Sequence, residues 1–124
     1  MKENKRLLSI TELGGYPDFS SLYVKQGFAV ETANSMRKAL RSLKQNKYDV
    51  IVAEFNFQSD FRDRTSSLET LMAVIQQMDD VRVIIFYEKE YEHQFEKLRA
   101  RFLFHAEISY PIEQEILTKA LKDT

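Results

Sequence analysis

Residues 48–57 read YDVIVAEFNF, a short apolar run rich in β-branched residues that stops on a carboxylate, Glu54. A carboxylate at the carboxyl end of a buried parallel strand lies where open α/β sheets gather their chemistry. Three other stretches end on polar groups in the same way. Thr11 and Glu12 follow RLLSI, Tyr87 ends VRVIIFY, and Ser109 and Tyr110 precede Pro111. A carboxylate there could act as an acid. Glu54 is therefore a working acid, the remnant of one, or a solvated edge residue.

Other candidate chemistry is thin. With no cysteine, disulfides, thiol catalysis and cysteine-based metal sites are excluded. His93 and His105 stand apart with no motif around them, a poor start for a metal site. Asp60 and Asp63 sit three apart in the polar stretch QSDFRDRTSS, residues 58–67, a pattern typical of solvated loop residues. Phe55, Phe57 and Phe61 in or beside that loop would be costly to expose, so they anchor the loop, cover the site or meet a partner.

The elements that must position these groups alternate from end to end. Strand-like runs are expected at 6–11, 28–33, 49–54, 81–87 and 106–109. Between them, helical spacing links Phe19, Leu22 and Tyr23, with Pro17 suited to a first turn. It next links Met36, Ala39, Leu40 and Leu43, capped by Asn34 or Ser35. Leu68, Leu71, Met72 and Ile75 form a clear stripe, and Tyr91, Phe95, Leu98 and Phe102 another. Ile116, Leu117, Ala120 and Leu121 give the last helix. Five β-α units with apolar strands predict a doubly wound α/β fold, a five-stranded parallel sheet with helices on both faces.

The bulk numbers agree. At 124 residues the chain is long enough for one domain and too short for two. Apolar residues make up 44% and charged residues 30%, with a formal net charge of −1, so a soluble globular domain is expected with no basic block for nucleic acid. No apolar run approaches the roughly 18 residues a membrane span needs, and the N-terminus lacks a secretion signal, which makes a cytoplasmic location the expectation. The chain ends at Thr124, directly after its last helix, and so reads as one domain, 1–124, that could be part of a longer protein.

The order of these elements, with the phrases FAVETANSMRKAL, YDVIVAE, VRVIIFYE and ISYPI, resembles the receiver domain of bacterial response regulators, of the (βα)5 or flavodoxin-like kind. The likeness covers nearly the whole chain, although the segment after Glu54 is longer than the family's usual spacing. The resemblance implies an aspartate at the end of the third strand that accepts a phosphoryl group from a histidine kinase. It also implies an acidic pair holding Mg²⁺, a threonine or serine after the fourth strand, and a lysine after the fifth. Here Glu54 stands at the acceptor aspartate, one methylene too long. Thr11 and Glu12 stand at the acidic pair, Tyr87 at the threonine or serine, and Tyr110 at the lysine. Glu107 stands where many members carry an aromatic switch residue.

A site so altered is expected to have lost phosphotransfer, with no resident cofactor and Mg²⁺ poorly served. Tyr87 and Tyr110 are expected to turn inward and partly fill the former pocket. The expected role is a phosphorylation-independent pseudo-receiver, not an enzyme, that regulates a two-component-type pathway by binding protein. Candidate partners are a kinase, an output domain or a second copy. In the family the face of the fourth helix, fifth strand and fifth helix serves such contacts, which here draws in Phe102, Phe104 and Glu107, although core packing would explain the two rings equally well. Three rivals remain: a divergent receiver still phosphorylated with Mg²⁺, a small-molecule sensor using the aromatic rim of Tyr87, Tyr110 and Phe55, and a flavodoxin-like cofactor binder, the weakest because no loop rich in Ser, Thr and Gly follows the first strand to cradle a phosphate.

Overall fold

The computed structural model describes residues 5–11, 18–55, 67–78 and 80–123. Its strands are β1 (Lys5–Ile10), β2 (Phe28–Ala33), β3 (Val50–Glu54), β4 (Arg82–Tyr87) and β5 (Ala106–Ser109). Its helices are α1 (Ser20–Lys25), α2 (Met36–Gln45), α3 (Ser67–Ile75), α4 (Glu92–Arg99) and α5 (Gln114–Lys122), with a short 3₁₀ turn, Lys89–Tyr91, leading into α4. All pairings are parallel, in the order β2-β1-β3-β4-β5. The expected doubly wound α/β architecture is the one found.

The three central strands, β1, β3 and β4, are buried on both faces, and the alternation along the sheet sorts side chains into two cores. Ile51, Ala53, Val83, Ile85 and Tyr87 point toward α2, α3 and α4 and pack with Leu43, Leu71, Met72, Phe95 and Leu98. Val50, Val52, Ile84, Phe86 and Ile108 point the other way, toward Phe19 and Tyr23 of α1 and Leu117 and Leu121 of α5. The stripe read on α3 is real, since Leu68, Leu71, Met72 and Ile75 are all buried.

Local signals explain several ends. Ser35, not Asn34, caps α2: its Oγ accepts from the Lys38 N–H at 3.2 Å. Gly27 follows α1 at φ +92°, a left-handed conformation open to glycine. The expectation for Pro17 falls outside the described residues. Two helical stripes read from spacing need correction. Phe102 lies beyond α4, which ends at Arg99, yet its ring stays buried because its N–H bonds back to the Leu98 carbonyl and turns it inward. Ile116, read as core, is 49% exposed at the start of α5.

Strand order places the switch of crossover direction between β1 and β3. Thr11 follows the end of β1 and Glu54 ends β3, so both lie at that switch point.

Candidate functional site

The carboxyl edge of the sheet brings Thr11, Glu54, Tyr87 and Tyr110 to one side of the molecule, as their strand ends require. Thr11 is exposed, with its N–H donated to the Ala33 carbonyl at 2.9 Å. Glu54 is half-buried, and the Tyr110 hydroxyl donates to its Oε2 at 3.0 Å. A group from the turn after β5 therefore reaches across β4 to the end of β3. Where a lysine would bring a positive charge to this carboxylate, Tyr110 brings one neutral donor and an aromatic ring. The ring rests edge-on against Phe86 at 6.1 Å, and Phe86 in turn meets Phe19 edge-on at 6.0 Å.

Tyr87 goes elsewhere. It and Tyr110 were both expected to turn inward and partly fill one pocket, but they leave the sheet on opposite faces. Tyr87 belongs to the core under α4, whereas Tyr110 packs against the core under α1 and α5. Tyr87 stacks on Phe95 with centroids 5.0 Å apart and planes at 30°. Phe95 also contacts Phe55 at 5.2 Å and Phe104 at 5.5 Å, so Phe55 anchors the chain just after Glu54. The reason is parity: Phe86 and Tyr87 are consecutive on one strand and must point to opposite sides.

Arg99 completes this second cluster, and reading the sequence for sites missed it. Its guanidinium lies 4.9 Å above the Phe95 ring and 5.7 Å from that of Tyr87. Its Nε is 2.7 Å from Glu107 Oε1, close but poorly aligned for a hydrogen bond, and Glu92 and Glu96 lie within 4.0 Å. Partial burial alone would lower the guanidinium's pKa. The Glu107 charge, with help from the Tyr87 hydroxyl, more than offsets that and raises it. The signal was present in part, because Arg99 follows Phe95 by four residues and so shares its helix face. The Glu107 partner, on a different element, could not be read from spacing.

Tyr23 lies beneath the edge on α1 and is 2% exposed. Burial pushes its phenol above the usual range, and the charges of Asp18 and Glu54 push in the same direction. Asp18 is held below the usual carboxylate range by hydrogen bonds from the Ser20 side chain and backbone; the Ser20 N–H reaches its Oδ1 at 2.9 Å.

Glu12, Phe57, Asp60, Phe61 and Asp63 lie outside the described residues. Of the expected acidic pair for Mg²⁺, only Thr11 is described, and it offers no carboxylate. The described residues contain no group of three or more His, Asp or Glu placed to hold a metal, and no helix long and apolar enough to cross a membrane.

The outward side of β5 carries a groove of about 310 Å³, walled by Tyr87, Lys89, Glu107, Tyr110, Pro111 and Ile116. Of the residues expected at an interface, Glu107 is half-buried against Arg99. Phe102 is 7% exposed and Phe104 packs on Phe95, so both rings serve the core rather than the surface. Leu103, between them, is 94% exposed and is the apolar group that this segment offers to solvent.

No protein-family model and no curated protein matches the sequence. Solved structures do. A response-regulator receiver domain from Clostridium thermocellum superposes with a TM-score of 0.76 at 17% identity, covering 96% of this chain and 92% of its own. The chemotaxis response regulator CheY4 of Vibrio cholerae gives 0.73 at 21% identity, with 98% of both chains covered. The response regulator TrrA from Thermotoga maritima, solved in complex with Mg²⁺–BeF, gives 0.68 at 16% identity over 96% of this chain and 97% of that one. At such identities the likeness speaks for architecture alone. The chain has the receiver-domain fold.

Proposed function

We propose that this chain is a pseudo-receiver, a receiver fold that has given up phosphotransfer and regulates a two-component-type pathway by binding protein. The observation that carries this reading is the 3.0 Å hydrogen bond from Tyr110 to Glu54. A phosphoryl group needs an acceptor oxygen free for in-line attack and a cation to balance its charge. The Glu54 oxygen is engaged instead, and the lysine position holds a phenol. Arg99 lends further support. It ties the strand position usually given to a switch residue, Glu107, to the Tyr87–Phe95 stack, so the outer face of α4 and β5 is held in one arrangement.

The contact surface in this reading runs from Leu103 past Glu107 to Ile116, with the β5 groove between them. Its occupant is a kinase, an output domain or a second copy of the chain, in the cytoplasm of a bacterium. Neither nucleic acid nor membrane is invoked, and the chain works without Mg²⁺ and without catalysing a reaction.

The test is an amide NMR titration of the protein with Mg²⁺ and then beryllium fluoride. The expected result is no saturable shift at Thr11, Glu54, Tyr87 or Tyr110. Saturable shifts at those residues that vanish in Glu54→Gln would instead establish a divergent but working receiver.

A further inference from the structure

β5 is the last strand of the sheet, and among the described residues no strand pairs with its outer side. The Tyr110 N–H donates to the Tyr87 carbonyl at 2.9 Å. Ser109 lies opposite Tyr87, so alternation along this parallel pair turns the N–H and C=O groups of Glu107 and Ser109 away from β4, toward the open edge. These two residues lie on the floor of the β5 groove. One wall, Tyr87 and Lys89, belongs to the α4 side of the sheet, and the other, Glu113 and Ile116, to the α5 side. A bare strand edge is a template for pairing with another chain unless proline, charge or a covering loop blunts it. β5 contains no proline, and its one charge, Glu107, is drawn to the α4 side by Arg99.

Charge decides what can pair there. Residues 88–116 hold seven glutamates against four lysines and arginines, a net −3 in a chain whose total is −1. The surplus gathers beside β5. Glu92, Glu96 and Glu107 share the one guanidinium of Arg99, and Arg101 is paired with Glu69 of α3. Glu90 and Glu113, both exposed, form no ion pair among the described residues. A second copy would bring the same surplus against itself, and like charges opposed across two strands weaken their pairing. The apolar part of the surface is Ile116, 49% exposed on the α5 wall.

We infer that the β5 edge takes an extended basic segment of a different protein as a sixth strand, an inference that rests on the protein-binding role above and narrows its occupant. The backbone of the segment pairs with Glu107 and Ser109. Side chains alternate along a strand, so the two sides of the segment meet different surroundings. Apolar side chains on one side lie against Ile116. Lysines or arginines on the other meet the glutamates gathered around Arg99. Main-chain bonds of this kind supply affinity whatever the sequence, and the acidic rim then selects the partner.

The probes are three short capped peptides in which valine alternates with lysine, with serine or with glutamate, titrated by amide NMR into the whole chain. The lysine peptide is expected to give saturable shifts centred on residues 106–116 and to protect the Glu107 and Ser109 amides from exchange. It should bind about tenfold more tightly than the serine peptide, an advantage that shrinks as salt rises, and the glutamate peptide should bind least. Glu96→Gln, at a side chain 57% exposed, is expected to weaken the lysine peptide about threefold and to leave the serine peptide unchanged. Ile116→Ala is expected to weaken both by a similar factor, about threefold. The inference is overturned by an absence of saturation, by shifts elsewhere, by Glu107 and Ser109 amides that stay unprotected, or by a serine or glutamate peptide that binds as tightly as the lysine one. Self-association of the free chain through residues 106–116 would overturn it too. These outcomes leave the pseudo-receiver reading standing; that reading fails instead on saturable shifts with Mg²⁺ and beryllium fluoride.

Discussion

Tyr87 and Tyr110 both follow strands at the carboxyl edge of the sheet, yet their surroundings have little in common. Tyr87 is buried, stacked on Phe95 and overlain by the Arg99 guanidinium. Tyr110 is half-buried and is tied to Glu54 by one hydrogen bond. The first tyrosine is part of the core under α4, and the second lies over Glu54. The difference teaches that the two sides of this edge are held in unequal ways. One is packed into an aromatic core. The other is a polar contact that could be removed without disturbing the fold.

The largest effects should fall on the Tyr87 side. Phe95 is fully buried and touches Phe55, Tyr87 and Phe104, so Phe95→Ala is expected to cost about 3–5 kcal/mol in urea unfolding. A loss near that of an exposed residue would show that the cluster is not a unit and would erase the contrast. Arg99→Gln removes the cation over two rings and leaves Glu107 without its partner, for an expected loss of about 1–2 kcal/mol. Raising salt should weaken the wild type only modestly, because the guanidinium is 29% exposed and part of its attraction is to rings. A loss that disappears in high salt would reduce Arg99 to an ordinary surface pair.

How far these clusters could be read in the sequence follows the same division. Period-two and helical patterns separate apolar from polar positions, so the five strands and the α3 stripe were legible, while the sheet order was narrowed only to the doubly wound arrangements. Glu54, Tyr87 and Tyr110 were legible as edge residues, because each follows its strand. What spacing could not give is the side of the sheet on which a tyrosine leaves. Tyr87 follows Phe86, and which of the two faces α4 depends on the register with β3 and β5. The Arg99–Glu107 contact was hidden for a related reason, since it joins a helix to a strand and has no fixed sequence offset. Phe102 misled because a buried ring just past a helix end carries the same pattern as one inside it.

On the Tyr110 side the expected cost is smaller. Tyr110→Phe keeps the ring against Phe86 and deletes the donor to Glu54, so a loss of about 0.5–1 kcal/mol is expected from denaturant unfolding. A loss matching that of Arg99→Gln would mean that Glu54 depends on Tyr110 as a buried charge does on its partner, and the cover would be structural after all.

The finest test uses Tyr23, whose phenol feels Glu54 from beneath. Its folded pKa lies above the usual 10.0, because of burial first and the Asp18 and Glu54 charges after it. The protonated form is therefore the one that folding favours. Its contribution to stability is complete below pH 10 and is lost as pH rises past that value toward the folded pKa, by about 1.4 kcal/mol per pH unit. Alkaline unfolding should be less steep in Tyr23→Phe by that one proton. Glu54→Gln preserves an acceptor for Tyr110 while removing the charge, so the ultraviolet titration of Tyr23 should move slightly downward and remain well above its usual position, since burial is the larger cause. An unmoved titration would place the Glu54 charge out of reach of α1. The carboxylate would then belong wholly to the solvent side of the edge, and Tyr110 would cover a group that the core does not sense.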